Sequence, residues 1–250
     1  MHSVVELTEE YFNQQVQRTL TVLHCIGERS EIKAGRVVPS SDDLVIHTGR
    51  RIDATVMFLD INGFSKRSSW TEEEQDSLLR LLALFFTETV RIVEDFGGVV
   101  EKNTGDGLMA YFVASTEDKI PVQQKAVAAA LTMFSAASYI INPIIIRSGM
   151  LPIDFRICID HGPITIARVG SPRGFNGIVA VGSIANVASK MLEDADANTI
   201  LLGNSMLAGL PTEWRLSWIK LKKVDTGWVF RETGQPYPFW VYEGRWRLPK

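Results

Sequence analysis

The feature that most constrains the fold is an apolar segment that ends in a carboxylate. Residues 53–61, DATVMFLDI, are almost uninterrupted in apolar side chains up to Asp60, which predicts a strand buried on both faces. A carboxylate that closes such a strand is costly unless it is solvated, hydrogen-bonded or bound to a cation. Taken alone, Asp60 is a strand-end cap, and only a second acidic residue nearby changes that interpretation.

A second carboxylate lies in VVEKNTGDGLMAYF, residues 99–112. Two short apolar runs flank an Asp-Gly turn, which is the commonest short-range signal of a β-hairpin, so Asp106 alone is a turn residue. If the two strands are neighbours in one sheet, Asp60 and Asp106 project from the same end of it. Such a pair can bind two divalent cations, and hard oxygen ligands favour Mg²⁺ or Mn²⁺.

The residues directly after Asp60 fit the same site. The backbone carbonyl of Ile61 is well placed as a further metal ligand, and Gly63 allows the backbone to approach a triphosphate closely. Phe64 either closes over a nucleotide or fills the core, and the sequence favours neither. These residues predict a phosphate-handling site at the end of the strand.

Helix and turn signals place these strands in one α+β domain. Thr71 to Phe96 is predicted as a helix, with Thr71 and Glu74 in capping-box spacing and Gly97-Gly98 at its end. The further predicted elements are, in chain order, a helix at 122–139, two strands around His161-Gly162-Pro163 within 153–170, a helix at 184–195, a strand at 198–204 leading into a short helix, and strand-like segments in the tail from 214 to 246.

The N-terminal region predicts a helix followed by an extended arm. Residues 7–28 have Thr8 as an N-cap and one apolar face, made of Leu7, Tyr11, Phe12, Val16, Leu20 and Leu23. The polar stretch that follows has turn residues and no clear period. We therefore predict an N-terminal helix and arm at 1–48 and the main domain at 49–250.

Composition excludes several classes of protein. The net charge of -3 lacks the basic excess typical of nucleic-acid binding. Cys25 and Cys158 are not in zinc-like spacing and do not form a disulfide scaffold, which favours a reducing cytoplasm. Residues 126–146 are long enough to span a bilayer, but they are rich in Ala and Ser and are interrupted at Asn142-Pro143. A buried helix is the better interpretation, and no membrane partner is expected.

At this point the motifs match a known family. ATVMFLDINGFS, FGGVVEKNTGDGLMAYF, RICIDHGPITIARVGS and VGSIANVASKMLEDADANTILLGNSM occur in that order between about residues 53 and 206. Together they closely resemble class III nucleotidyl cyclases. The resemblance implies a ferredoxin-like βαββαβ core with a mostly antiparallel sheet flanked by helices, here with an N-terminal helical extension. It also implies a head-to-tail homodimer with shared active sites that converts a nucleoside triphosphate to a 3′,5′-cyclic nucleotide.

The resemblance assigns roles by position. Asp60, Ile61 and Asp106 match the ligands of the two divalent cations, Mn²⁺ or Mg²⁺. Asn186 matches the ribose-orienting asparagine, and Lys190 stands where the family usually has a phosphate-binding arginine, so the bidentate fork is lost. The remaining nucleotide-binding candidates are Phe58, Gly63, Phe64, Lys102, Ser183 and Lys222. For the terminal phosphates Lys223 is as good a candidate as Lys222, and an exposed strand face explains both lysines equally well.

The base-selecting positions depart from the family's usual patterns. Adenylate cyclases usually pair a hairpin lysine with an aspartate, and guanylate cyclases use glutamate and cysteine. Here Lys102 occurs with Ser183. Guanine is disfavoured because a lysine cannot accept hydrogen bonds from it. Adenine is not excluded, while a pyrimidine suits both residues, and Lys102 can donate to the two carbonyls of uracil.

The altered pocket and the compact architecture look like the pyrimidine cyclases of bacterial Pycsar antiphage systems. That resemblance implies cyclic UMP or cyclic CMP as a messenger to a downstream effector in the cytoplasm. UTP is the favoured substrate because Lys102 can donate to both carbonyls of uracil, whereas cytosine offers one carbonyl and an amine. Adenylate and cytidylate cyclases are the alternatives. A degenerate nucleotide-binding regulatory module is favoured only by Lys190, and a diguanylate cyclase lacks support because no GGDEF-like signature is present.

Overall fold

The computed structural model describes residues 7–28, 49–103, 105–114, 118–170 and 176–247. Strands in this part of the chain are β1 (Gly49–Ile61), β2 (Gly98–Asn103), β3 (Gly107–Val113), β4 (Phe155–Gly170), β5 (Asn176–Val181), β6 (Ile200–Gly203), β7 (Ile219–Lys223) and β8 (Phe239–Tyr242). They form one sheet in the order β2-β3-β1-β4-β6-β8-β7, with β5 paired to β4. All pairings are antiparallel except that of β4 with β6.

The helices of the described residues are α1 (Glu9–Glu28), α2 (Glu72–Asp95), α3 (Val122–Ala136), α4 (Asn142–Arg147), α5 (Ser183–Asp194) and α6 (Thr212–Trp218). Short 3-10 helices occur at Phe64–Lys66 and Asn204–Gly209, and a π-helix occurs at Ala137–Ile141. The strand order β2-β3-β1-β4, with α2 and α3 as connections, is that of a ferredoxin-like βαββαβ core. The predicted α+β class and topology are therefore confirmed.

Strand β1 lies at the centre and is buried on both faces, as its apolar run predicts. Met57, Leu59 and Ile61 pack into the main core, which lies between the sheet and helices α2 and α3. Ala54 and Val56 face the opposite side, where α5 covers the sheet. Because alternate residues of a strand point to opposite faces, Asp60 belongs to the α5 side.

The ends of α2 follow the predicted signals. The Thr71 side chain accepts from the Glu74 N–H, and the Glu74 carboxylate accepts from the Thr71 N–H, which completes the capping box. After the helix, Gly97 adopts φ 76°, a left-handed conformation that favours glycine. The chain then enters the β2–β3 hairpin directly.

Helix α1 forms as predicted, with Thr8 accepting from the Tyr11 N–H, but the predicted apolar face makes up only part of its packing surface. The most deeply buried side chains of its α2-facing side are Gln15 and Thr19. Arg18 donates to both carboxylate oxygens of Glu88 on α2, at 3.1 and 3.0 Å. The docking is polar because the buried Glu88 needs a cationic partner. Of the predicted apolar face, Leu7 is buried and Tyr11, Phe12 and Val16 are half-buried, whereas Leu20 and Leu23 are exposed.

The helix predicted at 122–139 extends further than expected. α3 continues through the π-helix into α4, so Asn142-Pro143 does not break it as predicted. A π-helical turn changes the hydrogen-bonding register, which accommodates the missing Pro143 N–H. The stretch Val122–Arg147 is long and apolar enough for a membrane span by length and composition alone. Its most apolar window is 67% buried inside the protein, which favours a core helix.

Two predictions about the second half of the chain are corrected. The segment 153–170 is one long strand, β4, because the part around Pro163 pairs only with β1. A proline is tolerated where one edge of a strand has no partner. The tail begins with helix α6 rather than a strand, and strand β5 was not predicted. The arm at 29–48 lies outside the described residues, as does Thr104 of the predicted turn.

Candidate active site

The two aspartates predicted as metal ligands lie side by side. Asp60 pairs with Gly107 in the β1–β3 register, and the Ile61 N–H donates to the Asp106 carbonyl at 2.9 Å. Both aspartates are half-buried. Within the described residues the Asp106 carboxylate has no hydrogen-bonding or ionic partner. The β1–β3 pairing therefore places the backbone of these two residues next to each other at one end of the sheet.

Arg156 was not predicted, and it is the residue in direct contact with Asp60. Its Nε and Nη2 donate to Asp60 Oδ2 at 3.0 and 2.7 Å, across the β1–β4 pairing. Its Nη1 donates to the Ala195 carbonyl at 3.2 Å. A signal was present in the sequence, because an arginine inside the apolar strand FRICI needs a partner.

The chain after α5 gathers further basic side chains near Arg156. Ala195 is flanked by two acidic residues that pair with β7: Asp194 accepts from Lys223 at 2.8 Å, and Asp196 accepts from Lys222 at 2.6 Å. Lys222, predicted to bind terminal phosphates, is thus placed by the same short segment that holds Arg156. Both lysines have intramolecular partners in this state.

The residues after Asp60 take the conformation that a closely approaching ligand requires. Gly63 has φ 65°, and a Cβ there would meet no atom within 4 Å, so the space beside it is open. Phe64 packs partly against the main core, which supports its core-filling role. Phe58 is half-buried and packs against the apolar clusters under α5.

The predicted ribose- and phosphate-binding residues lie on the outer face of α5. Ala185, Val187, Ala188 and Met191 are buried against the sheet, whereas Asn186 and Lys190 are exposed. Lys190 pairs with Glu193 at 2.9 Å. No hydrogen bond or ion pair joins Asn186 or Lys190 to Asp60 or Asp106 within the described part of one chain. A single chain therefore does not bring the two halves of the predicted site into contact.

The two base-selecting candidates border one apolar cluster. Lys102 pairs with Met109 in the β2–β3 register, and Met109 pairs with Phe58. The Lys102 side chain lies outside the described residues. Ser183 is the exposed first residue of α5, and the next residue, Ile184, packs against the cluster that contains Met109.

The donor set at the end of β1 fits divalent cations. Asp60, Asp106 and the Ile61 carbonyl supply hard oxygen donors, the type of ligand that Mg²⁺ and Mn²⁺ prefer. The guanidinium of Arg156 contacts only Oδ2 of Asp60, which leaves Oδ1 available. A positively charged group at this position indicates that the carboxylate accepts a cationic partner.

The described cavities do not enclose the aspartates. An open groove of about 620 Å³ begins at Asn62 and Gly63 but runs between α2 and residues 150–154. Asp60 and Asp106 do not line it. The predicted metal site therefore lies outside this groove.

A separate buried carboxylate lies further along β4. Asp160 is fully buried, and its Oδ1 accepts from the Tyr237 hydroxyl at 2.7 Å and from the His161 N–H at 2.8 Å. Its Oδ2 has no hydrogen-bonding partner. Burial raises the pKa of Asp160 to about 7, although both hydrogen bonds lower it. Burial also lowers the pKa of His161, whose Nδ1 lies 3.0 Å from the Thr55 hydroxyl.

Comparisons with known proteins agree with this geometry. Two relatives are uridylate cyclases: one from Rhodovulum sp. (strain MB263), 22% identical over 161 residues, and one from Gulbenkiania mobilis, 27% identical over 161 residues. These matches cover 64% and 62% of this chain, and 66% and 61% of the relatives. An adenylate cyclase from Mycobacterium tuberculosis (strain ATCC 25618 / H37Rv) is 29% identical over 182 residues, covering 70% of this chain and 39% of that protein. The chain thus spans less than two thirds of the curated relatives it matches.

Solved structures share the fold. The guanylyl cyclase Cya2 superposes with a TM-score of 0.64 at 19% identity, covering 79% of this chain and 94% of that one. The adenylyl cyclase CyaB from P. aeruginosa superposes with a TM-score of 0.60 at 22% identity, covering 81% and 100%. The family model described as adenylate and guanylate cyclase catalytic domain matches residues 47–225. That range holds the βαββαβ core, both aspartates and α5, and the chain belongs to this family.

Proposed function

We propose that the protein is a nucleotide cyclase that converts a ribonucleoside triphosphate to a 3′,5′-cyclic nucleotide and pyrophosphate, with UTP as the favoured substrate. The observation that carries the proposal is the Asp60–Asp106 pair, joined by the 2.9 Å hydrogen bond from the Ile61 N–H to the Asp106 carbonyl. In the reaction the ribose 3′-oxygen loses its proton and forms a bond to the α-phosphorus. The bond from that phosphorus to the β-phosphate oxygen breaks, and pyrophosphate leaves.

Asp60, Asp106 and the Ile61 carbonyl would hold two divalent ions, Mn²⁺ or Mg²⁺, which supply Lewis acidity toward the attacking hydroxyl and the triphosphate. The chain's own cations add to the positive potential there. Arg156 already contacts Asp60, and Lys222 and Lys223 are anchored to the segment that accepts from Arg156. We propose that these three side chains bind the β- and γ-phosphates. Their present ion pairs are partly exposed and therefore weak enough to be exchanged.

We propose that the active site is shared between two copies of the chain in a homodimer. Asn186 and Lys190 are exposed and do not contact the aspartates of their own chain, so a second copy is the natural source of the missing half-site. The Lys190–Glu193 pair has exposed fractions of 60% and 71%, so it contributes little stability and can give way to a phosphate. There Asn186 would orient the ribose and Lys190 would stabilise negative charge at the α-phosphate.

Complementation tests the shared site. Asp60→Ala and Asn186→Ala proteins should each be inactive, and mixing them should restore activity at one of the two sites of the mixed dimer. A mixture that stays inactive, from variants that still dimerise, would argue for a site within one chain.

UTP is favoured by two observations. The match to two uridylate cyclases supports a pyrimidine base, and Lys102 with Ser183 provides donors for the two carbonyls of uracil. ATP is the second candidate, because the match to an adenylate cyclase has the higher identity, 29%. CTP remains a further alternative. Ser183 precedes Ile184, which packs against the apolar cluster of Met109 and Phe58, and this arrangement does not discriminate between these bases.

Product identification decides between these substrates. The protein should be incubated separately with UTP, CTP, ATP and GTP in the presence of Mn²⁺, and the products identified by mass spectrometry. We expect cyclic UMP as the main product and no product from Asp106→Asn. The matched control is Asp53→Asn, on the same strand β1 but exposed at its other end, which should retain activity. Cyclic AMP as the sole product would exclude the pyrimidine assignment.

We further propose a cytoplasmic role in antiphage defence, in which the cyclic nucleotide activates a separate effector. The support is the similarity to uridylate cyclases together with the sequence resemblance to Pycsar enzymes. Cyclic UMP should then rise in cells that carry the protein after phage infection. An unchanged level during a productive infection would contradict this role.

A further inference from the structure

A second cavity, of about 280 Å³, lies away from the aspartates. Its walls are the end of α3 with the following π-helix, the start of β4, and the C-terminal segment. The aromatic and polar side chains that line it include Phe134, Ser135, Tyr139, Arg245 and Trp246. Binding pockets for drug-sized ligands usually start at about 300 Å³. The size therefore suits a small metabolite rather than a nucleoside triphosphate.

Arg245 places a positive charge in this cavity. Its guanidinium lies 4.7 Å from the centre of the Phe134 ring and donates to the carbonyls of Asn198 and Gly244 at 2.6 and 2.7 Å and, less closely, to that of Tyr242. No carboxylate pairs with it among the described residues. The acid in the cavity wall, Asp154, accepts from the Asn198 amide instead. A guanidinium has five N–H donors, so at least two remain for an acceptor.

Ser135 supplies a second polar group without a partner. The residue is only 3% exposed, and its hydroxyl makes no hydrogen bond. Hydroxyls on buried helices usually bond to the carbonyl four residues earlier, as Thr132 does with Ala128 at 2.9 Å on the same helix. Because buried polar groups are rarely left unpaired, the Ser135 hydroxyl is a candidate contact for a bound ligand.

The wall between these groups is shaped by the π-helix Ala137–Ile141. Isolated π-helical turns occur frequently at functional sites because they widen a helix locally. Here Ala137, Ser138 and Tyr139 of this turn line the cavity, and Tyr139 is 48% exposed at its rim. Asn142 holds the opposite wall by bonding to both backbone groups of Ile153, at 2.8 and 3.0 Å. The cavity is thus a preformed and braced feature.

We propose that this cavity binds a small organic carboxylate that carries a flat apolar group. The carboxylate accepts from the free N–H groups of Arg245 and from the Ser135 hydroxyl, since charge-assisted bonds to a guanidinium are the stronger kind. The flat group packs among the aromatic rings of the cavity wall. One of these, Phe134, is stacked on Phe155 with ring centres 4.3 Å apart, and Phe155 directly precedes Arg156.

Calorimetric titration of the full chain with benzoate tests the proposal, with benzamide as the neutral compound of the same shape. We expect saturable binding of one benzoate per chain and at least tenfold weaker binding of benzamide. Arg245→Gln should weaken benzoate binding at least tenfold. Arg215→Gln should leave it unchanged, because Arg215 is exposed on α6 and does not line the cavity.

Absence of saturable benzoate binding, or equal affinity in Arg245→Gln, would overturn the assignment. Inorganic phosphate that displaces benzoate equally well would overturn the requirement for a flat apolar group. Asp106→Asn should bind benzoate normally, and loss there would instead place the ligand at the nucleotide site. Should Arg245→Gln fail to fold, Ser135→Ala and Tyr139→Ala decide the question, since each should weaken benzoate binding several-fold and unchanged binding in both would refute the site. Binding needs no catalysis, so the result is independent of the proposed cyclase activity.

Discussion

The buried carboxylate of Asp160 makes the stability of this fold depend on pH in a specific direction. In the unfolded chain an aspartate ionises near pH 4, whereas burial keeps Asp160 protonated in the folded protein up to about pH 7. The folded state therefore binds the extra proton between these values, and the free energy of unfolding falls as pH rises through this window. The loss is complete above pH 7.

Asp160→Asn isolates this contribution. The amide oxygen can keep both hydrogen bonds to Oδ1, from Tyr237 and His161, but the side chain no longer ionises. One pKa unit corresponds to ~1.4 kcal/mol, so Asp160 should cost the wild type about 2–3 kcal/mol between pH 5 and pH 8. We expect the variant to match the wild type at pH 5 within about 1 kcal/mol. At pH 8 the free energy of unfolding of the variant should exceed that of the wild type by about 2–3 kcal/mol.

Urea denaturation at pH 5, 6, 7 and 8 measures the effect. Burial lowers the pKa of His161, so the unfolded chain takes up a proton at this residue at a higher pH than the folded protein does. The free energy of unfolding therefore falls as pH drops below about 6.5, which is the opposite direction to the effect of Asp160. Because both proteins carry His161, the difference between their profiles removes most of that contribution. Asp76→Asn, an exposed change on α2, is the control and should follow the wild type. Parallel profiles for wild type and Asp160→Asn would refute the reasoning.

Three other predictions follow from contacts described above. Arg18→Ala removes the ionic partner of the buried Glu88 carboxylate and should lower the free energy of unfolding in urea by up to about 3–5 kcal/mol. Adding Glu88→Gln should restore part of this loss, and no restoration would show that the ion pair does not explain it. Gly203→Ala would place a Cβ 2.3 Å from Cγ of the fully buried Asp160 and should lower the free energy of unfolding by about 1–3 kcal/mol; an unchanged value in urea denaturation would contradict this. Arg156→Gln removes a cation that competes with a metal ion for Asp60, and the ion pair is worth ~1 kcal/mol. Calorimetry without nucleotide should therefore show Mn²⁺ binding about fivefold more tightly to the variant, while triphosphate binding should weaken. Weaker Mn²⁺ binding would show that Arg156 mainly orients Asp60.

Local signals predicted the parts of the fold and site that depend on local geometry. The capping box of α2, the hairpin around Asp106 and the buried strand that ends at Asp60 are all encoded within a few neighbouring residues. Arg156 was missed because its partner lies on another strand, and only the β1–β4 register brings them together. The polar part of the α1 docking surface was missed because it depends on Glu88, a buried acid 70 residues further along the chain. A periodic apolar pattern cannot reveal such a distant polar partner.

The Asp60–Arg156 ion pair also has a consequence for the order of events at the site. Without ligands, the guanidinium partly balances the negative charge of the two aspartates, so this state needs no metal to be stable. A divalent ion that binds Asp60 weakens its hold on Arg156 and leaves the arginine freer to meet an incoming phosphate. Metal and nucleotide should therefore promote each other's binding, and by thermodynamic reciprocity by the same factor. At the proposed site, Arg156 would thereby make triphosphate binding depend on the supply of free divalent ions.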